Sequence, residues 1–181
     1  MSAEQFRDYL TTSYAEGTPQ GDAFRKLLGD SNTDWQDLVF RTGISHDHNA
    51  SVYGNYNEIL PYRASIGYTG QWGTVETSKY DRATIDLSLS PKFFKNHLTV
   101  ALNAKGVYNH QNYADGGAIG GAAFMNPTQD PYFRNDDGSI DRTTTNGYWN
   151  YGTGRGEEFT PNTLAGASPL SLLYDHKHYV D

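Results

Sequence analysis

Along much of the stretch from His48 to Asn109 the side chains alternate between apolar and polar. Tyr62, Ala64, Ile66, Tyr68, Gly70 and Trp72 are apolar or small, while Arg63, Ser65, Thr69 and Gln71 stand between them. A β-strand turns successive side chains to opposite faces, so this run predicts a strand with one greasy and one wet face. The period recurs in His48–Tyr56, where Ala50, Val52, Gly54 and Tyr56 share a side. In Tyr80–Ser90, Ala83, Ile85, Leu87 and Leu89 oppose Arg82, Thr84, Asp86 and Ser88. In His97–Asn109, Leu98, Val100, Leu102, Ala104, Gly106 and Tyr108 oppose Thr99, Asn103, Lys105 and Asn109. Repetition of the pattern in consecutive segments is a stronger signal than any one strand. The links Asn57–Pro61, Gly73–Lys79 and the SPKFFKN turn around Pro91 are short, which predicts an antiparallel meander of about four strands.

On either side the period of two is lost. Residues 1–45 read as polar and helical. Ser2 with Gln5 fits a capping box, Phe6, Tyr9 and Leu10 make a short apolar stripe, and Asp22–Gly29 predicts a second short helix ending at glycine. A third turn starting at Thr33 or Asp34 would bury Trp35, Leu38 and Val39. Residues 114–181 are rich in Gly, Asn, Asp, Thr and Pro and predict a long irregular segment.

Composition narrows the choice of solvent for this sheet. The chain has 181 residues, a net charge of −7 and only 36% hydrophobic residues, and its mean hydropathy is −0.70. That is a poor supply for a compact soluble core. It suits a membrane β-barrel, in which only alternate residues meet lipid. Tyr (14) and Gly (19) are abundant, which favours strands and loops. No apolar run is long enough for a transmembrane helix, and the polar MSAEQFRDYL start has no secretory apolar region. Cysteine is absent, so disulfides and cysteine-based metal or redox sites are excluded. The acidic balance argues against nucleic acid as a partner.

Two sheets fit these facts. A soluble β-rich domain, such as a glycan-binding or adhesin-like module, would have to cover its apolar face, and the short polar helices of residues 1–45 are too small for that. The alternative faces lipid, with aromatic residues at both rims: Tyr56, Tyr62, Phe93 and Phe94 at one, Trp72, Tyr80 and Tyr108 at the other. Arg63, Arg82, Asp86 and Lys105 would then point into a polar lumen. So few strands cannot close a barrel, and an open edge is not tolerated in lipid, so this reading needs further strands.

Four words in a fixed order carry a resemblance: NTDWQDLVFRTG (Asn32–Gly43), HNASVYGNY (His48–Tyr56), YRASIGYTGQWGTVETSKYDR (Tyr62–Arg82) and FMNPTQDPY (Phe124–Tyr132). The chain resembles the SusC/RagA family of TonB-dependent outer-membrane transporters over nearly its whole length. The resemblance implies a 22-stranded transmembrane barrel around an N-terminal plug. Plug and first strand would precede Met1, which would be an internal methionine, and the remaining strands would follow Asp181. Residues 1–45 and 114–181 would be extracellular loops, and residues 46–113 would be transmembrane strands. The implied role is uptake of glycan or peptide fragments, driven by the TonB complex through the missing plug, with a SusD-like lipoprotein at the outer mouth.

Other candidate chemistry is sparse. Tyr148, Trp149 and Tyr151 could stack on a ligand or a partner. Asn135–Asp141 departs from a calcium loop, with Phe133 at the first ligand place and no Glu at the last, and reads as an Asp-Gly turn. His46 with His48, and Asp175–His178, are weak zinc pairs without an evident third ligand. The run Gly116–Gly121 does not fit a phosphate loop. No cofactor site and no matched acid and base emerge, so the chain gives no basis for an enzyme.

Overall fold

The computed structural model of the chain describes residues 1–143, 145–151, 166–175 and 178–180. It contains two compact units, residues 1–41 with 114–177 and residues 42–113 with 178–181.

The first unit is helical. It holds α1 (Ala3–Ser13), α2 (Pro19–Lys26), α3 (Trp35–Val39), α4 (Gly117–Phe124) and α5 (Pro169–Tyr174). Ser2 caps α1 through the expected box: its hydroxyl accepts the Gln5 N–H, and Gln5 Oε1 accepts the Ser2 N–H. The buried positions of α1 are Ala3 and Leu10, while Tyr9 stays 54% exposed, so the stripe is narrower than its sequence suggests. The helix read over Asp22–Gly29 is shifted toward the N-terminus, because Thr18 caps it and Pro19 fills its first turn. Asp34 caps α3 as expected, which buries Trp35 and Val39 and leaves Leu38 half-buried.

The irregular character read for residues 114–181 needs correction. The run Gly117–Phe124 folds as α4, and its small residues let Ala118, Gly121 and Ala122 bury completely or nearly so. A Cβ at Gly121 would stand 3.4 Å from the Pro169 ring at the start of α5. Composition hid this helix, since glycine is costly in helices unless close packing compensates.

The FMNPTQDPY word is a polar clamp on residues 27–35. The Trp35 indole donates to the Asn126 carbonyl at 2.9 Å. Asn126 Nδ2 and Gln129 Nε2 both donate to the Leu27 carbonyl. Thr128, fully buried, accepts the Gly29 N–H at 2.9 Å and donates to Asn126 Oδ1 at 2.7 Å. The Arg7 guanidinium adds hydrogen bonds to the carbonyls of Gly29 and Ser31. Buried polar groups require such partners, and here they tie two distant parts of the chain together.

The second unit is an antiparallel sheet of β1 (Ile44–Tyr56), β2 (Leu60–Trp72), β3 (Lys79–Leu89), β6 (Leu102–Tyr113) and β7 (His178–Val180), in that order. The meander is as predicted for β1 to β3. The run His97–Asn109 divides: Leu98–Thr99 (β5) pairs back onto Lys92–Phe93 (β4) in a small hairpin, and β6 begins only at Leu102. Phe94, Lys95 and Asn96 all have positive φ in that hairpin turn, a tight reversal that alternation does not signal. β7 was not anticipated; it pairs Tyr113 with His178 and Gln111 with Val180.

Candidate functional site: two faces of one sheet

The register sorts the sheet into rows. On the apolar face, Ala50, Ile66, Ile85 and Gly106 form one row, and Val52, Ala64, Leu87 and Ala104 the next. Beyond them toward the tight turns stand Gly54, Tyr62, Leu89 and Leu102. In the other direction come His48, Tyr68, Ala83 and Tyr108, then His46, Gly70, Asp81 and His110. The last row holds Ile44, Trp72, Lys79, Asn112 and Tyr179. The aliphatic rows are thus followed on one side by a row with Tyr68 and Tyr108, and on the other by a row with Tyr62 among leucines. Val52 is 57%, Ile66 62% and Ile85 59% exposed, so nothing described covers this band. Every buried hydrophobic residue among those described lies in the helical unit instead. In water each uncovered large aliphatic side chain forgoes about 1.5–3 kcal/mol of burial.

Tyr80, read as part of the outer aromatic rim, is on the other face. It shares that face with Arg82 and donates from its hydroxyl to Asn109 Oδ1 at 3.3 Å. The Trp72–Lys79 pairing decides this: partners across the ladder share a face, so the odd-numbered residues of β3 lie on the face of Trp72 and Tyr80 on the other.

The polar face is laced with hydrogen bonds. Asp47 accepts from Asn49 at 2.6 Å and from the Thr69 hydroxyl at 2.7 Å. The Ser88 hydroxyl donates to Asn103 at 2.7 Å, and Lys105 Nζ lies 3.3 Å from Asp86. All four sequence-derived lumen candidates are on this face. Arg63, Asp86 and Lys105 line one hollow with Ser65, Ser88 and Asn103. Arg82 stands apart, in register with Thr69 and Asn109, roughly 13 Å along β3 from Asp86.

The loop aromatics pack inward. Trp149 is 4% and Tyr151 8% exposed, their rings 4.9 Å apart, and the Trp35 ring lies 6.3 Å from that of Trp149. Tyr148 is half-buried against Tyr132, and its hydroxyl is pushed above the ordinary tyrosine range by burial and then by the Asp175 carboxylate. Of these three, Tyr148 is the least buried. The Asn135–Asp141 stretch is a turn: Gly138 has φ +84° and its N–H donates to the Asn135 carbonyl, while Asp137 accepts the N–H and hydroxyl of Ser139. Those bonds hold the Asp137 carboxyl below the usual carboxylate range. His46 and His48 have ring centroids 5.2 Å apart on the apolar face. Of Asp175–His178, His176 and Lys177 lie outside the described residues.

An antiparallel β segment with few short helices, banded as membrane strands are banded, is the class these features define. The chain is SusC-like. Over 180 aligned residues it is 38% identical to the TonB-dependent receptor SusC of Bacteroides thetaiotaomicron, covering 96% of this chain and 17% of that protein. The chain therefore spans less than a fifth of that relative's length. No family model matches the chain. The identity bears out the SusC resemblance and supports an outer-membrane location.

Proposed function

We propose that this segment is part of the wall of a 22-stranded barrel and of its extracellular loops, in a TonB-dependent importer of glycan or peptide fragments. A SusD-like lipoprotein would close the outer mouth, and the TonB complex would act through a plug inside the barrel. The observation that carries the reading is the uncovered aliphatic band, with Tyr62 at one end and Tyr68, Tyr108 and Trp72 toward the other. Lipid replaces the missing core, and further strands would satisfy the free edge of β1 and, at the other side, that of β7 and of the part of β6 that β7 leaves unpaired.

The tight β1–β2 link and the β4–β5 hairpin stand at one end of the sheet, while the chain joins residues 1–43 and 114–177 at the other. Short periplasmic turns and long outer loops are the rule for such barrels. Arg63, Arg82, Asp86 and Lys105 then face the lumen, where they line the path or hold the plug, and Tyr148 is the accessible loop aromatic.

Single cysteines test this in the intact transporter, since the segment has none of its own. A water-soluble thiol reagent should label positions 63, 82, 86 and 105 and spare 52, 66 and 85. Labelling in the reverse pattern would overturn the barrel reading.

A further inference from the structure

The outer end of the apolar face is polar in an ordered way. The matching row at the other end, Gly54, Tyr62, Leu89 and Leu102, carries no charge. At the outer end, Lys79 Nζ lies 2.7 Å from Asp81 and 5.7 Å above the Trp72 ring. The Tyr68 hydroxyl donates to the same Asp81 at 2.8 Å. His46 is packed between Tyr68 at 5.6 Å and Trp72 at 5.3 Å. Its Nδ1 is buried without a hydrogen-bond partner among the described residues.

Depth follows from strand geometry. Ten residues of β2 separate Leu60 from Gly70, about 33 Å along the strand, and a tilt near 40° reduces this to about 25 Å. That is the height of the apolar band of an outer-membrane barrel. If the Tyr56–Leu60 pair marks the inner boundary, the His46–Gly70–Asp81–His110 row lies at the level of the outer headgroups.

We propose that this rim is a binding site for the phosphate of an anionic lipid headgroup. The proposal rests on the barrel reading. Lys79 keeps N–H donors beyond the one directed at Asp81 and its side chain is 42% exposed. The imidazoles of His46 and His110 share this row, with His48 one row inward, and Trp72, Tyr68 and Tyr179 supply the amphipathic rings that sit at headgroup depth. Asp81 is the opposing charge on β3, and its two nearest partners already engage it. A phosphate therefore meets a net donor surface.

The test uses the full-length transporter in nanodiscs containing phosphatidylcholine and a minority of phosphatidic acid, with bound lipid counted by native mass spectrometry. Lys79→Gln should lower the preference for phosphatidic acid about fivefold, the effect of one cation near a membrane surface. Asp81→Asn should raise it, an opposite sign that mere loosening of the rim would not produce. Unchanged preference in both variants, or equal retention of oleic acid, overturns the proposal. A nitroxide at Ile85→Cys reports separately on lipid contact: failure to sense oxygen in the bilayer would sink the barrel reading instead.

Discussion

The imidazole of His46 lies against Gly70, its partner across the β1–β2 ladder, so closely that a Cβ at position 70 would come within 2.6 Å of the ring. The other end of the same pair of strands repeats the device. Tyr62 covers Gly54, where a Cβ would meet the phenol at 2.7 Å. Aromatic cover over a glycine shields the local backbone and helps pin the register.

Gly70→Ala should therefore displace the His46 ring from Tyr68 and Trp72 and lose the worth of those contacts, about 0.5–1.5 kcal/mol. Urea unfolding of the transporter in lipid measures this. His46→Ala in the same background removes the clash, so the double variant should be no less stable than His46→Ala alone. Strict additivity of the two changes would show that the ring and the glycine are not coupled.

Thr128→Val should leave the Gly29 N–H buried without its partner, at a cost of about 1–3 kcal/mol to the helical unit. Thr128→Ser keeps the hydroxyl and should restore most of that loss. Hydrogen exchange at the Gly29 amide reads the effect directly, and equal protection in all three proteins would contradict the clamp.

At Gly121 the size of the side chain decides the outcome. Alanine fits at ordinary contact distance from Pro169 and removes a helical glycine, so Gly121→Ala should be neutral or stabilising by about 0.5–1 kcal/mol. Gly121→Leu should force α4 off α5. Protease resistance of residues 114–151 in the full transporter distinguishes the two, and tolerance of leucine would refute the close packing.

The Asp137 carboxyl is held low by the hydroxyl and N–H of Ser139. A carboxylate with a depressed folded value stabilises its turn above the unfolded value, near pH 4, and that contribution disappears as pH falls through the folded value. NMR titration of the Asp137 carboxyl should thus give a midpoint below that of an ordinary aspartate, and Ser139→Ala should move it upward. A midpoint unchanged by Ser139→Ala would assign the shift to another cause.

Alternation made β1 to β3 and both faces of the sheet legible, because a period of two names the neighbours of every residue once the strands pair. Arg63, Asp86 and Lys105 could be placed on one face from sequence for that reason. Their gathering in one hollow, with Arg82 left apart, depends on register, which the turns set. The break before Leu102 was hidden because Leu98, Val100 and Leu102 keep the same parity through the hairpin. Tyr80 was misplaced by its identity: an aromatic near a strand end reads as rim, but the Gly73–Ser78 link turns it to the polar side. The helix over Gly117–Phe124 was illegible to propensity, since it exists through contact with Pro169, far along the chain. Trp149 and Tyr151 looked like exposed stacking rings because their burial depends on Trp35, another long-range neighbour.

The Tyr113–His178 pair has a consequence for how such proteins diversify. The chain leaves β6 and rejoins the sheet in β7 at adjacent points, so the sheet sees the intervening residues as a single hairpin connection. Lengthening that connection costs only slowly increasing closure entropy, about 0.6 kcal/mol per doubling. Insertions, deletions or wholesale replacement between these two residues leave every ladder partner in the wall unchanged. The sheet can stay constant while the connection it anchors is rewritten.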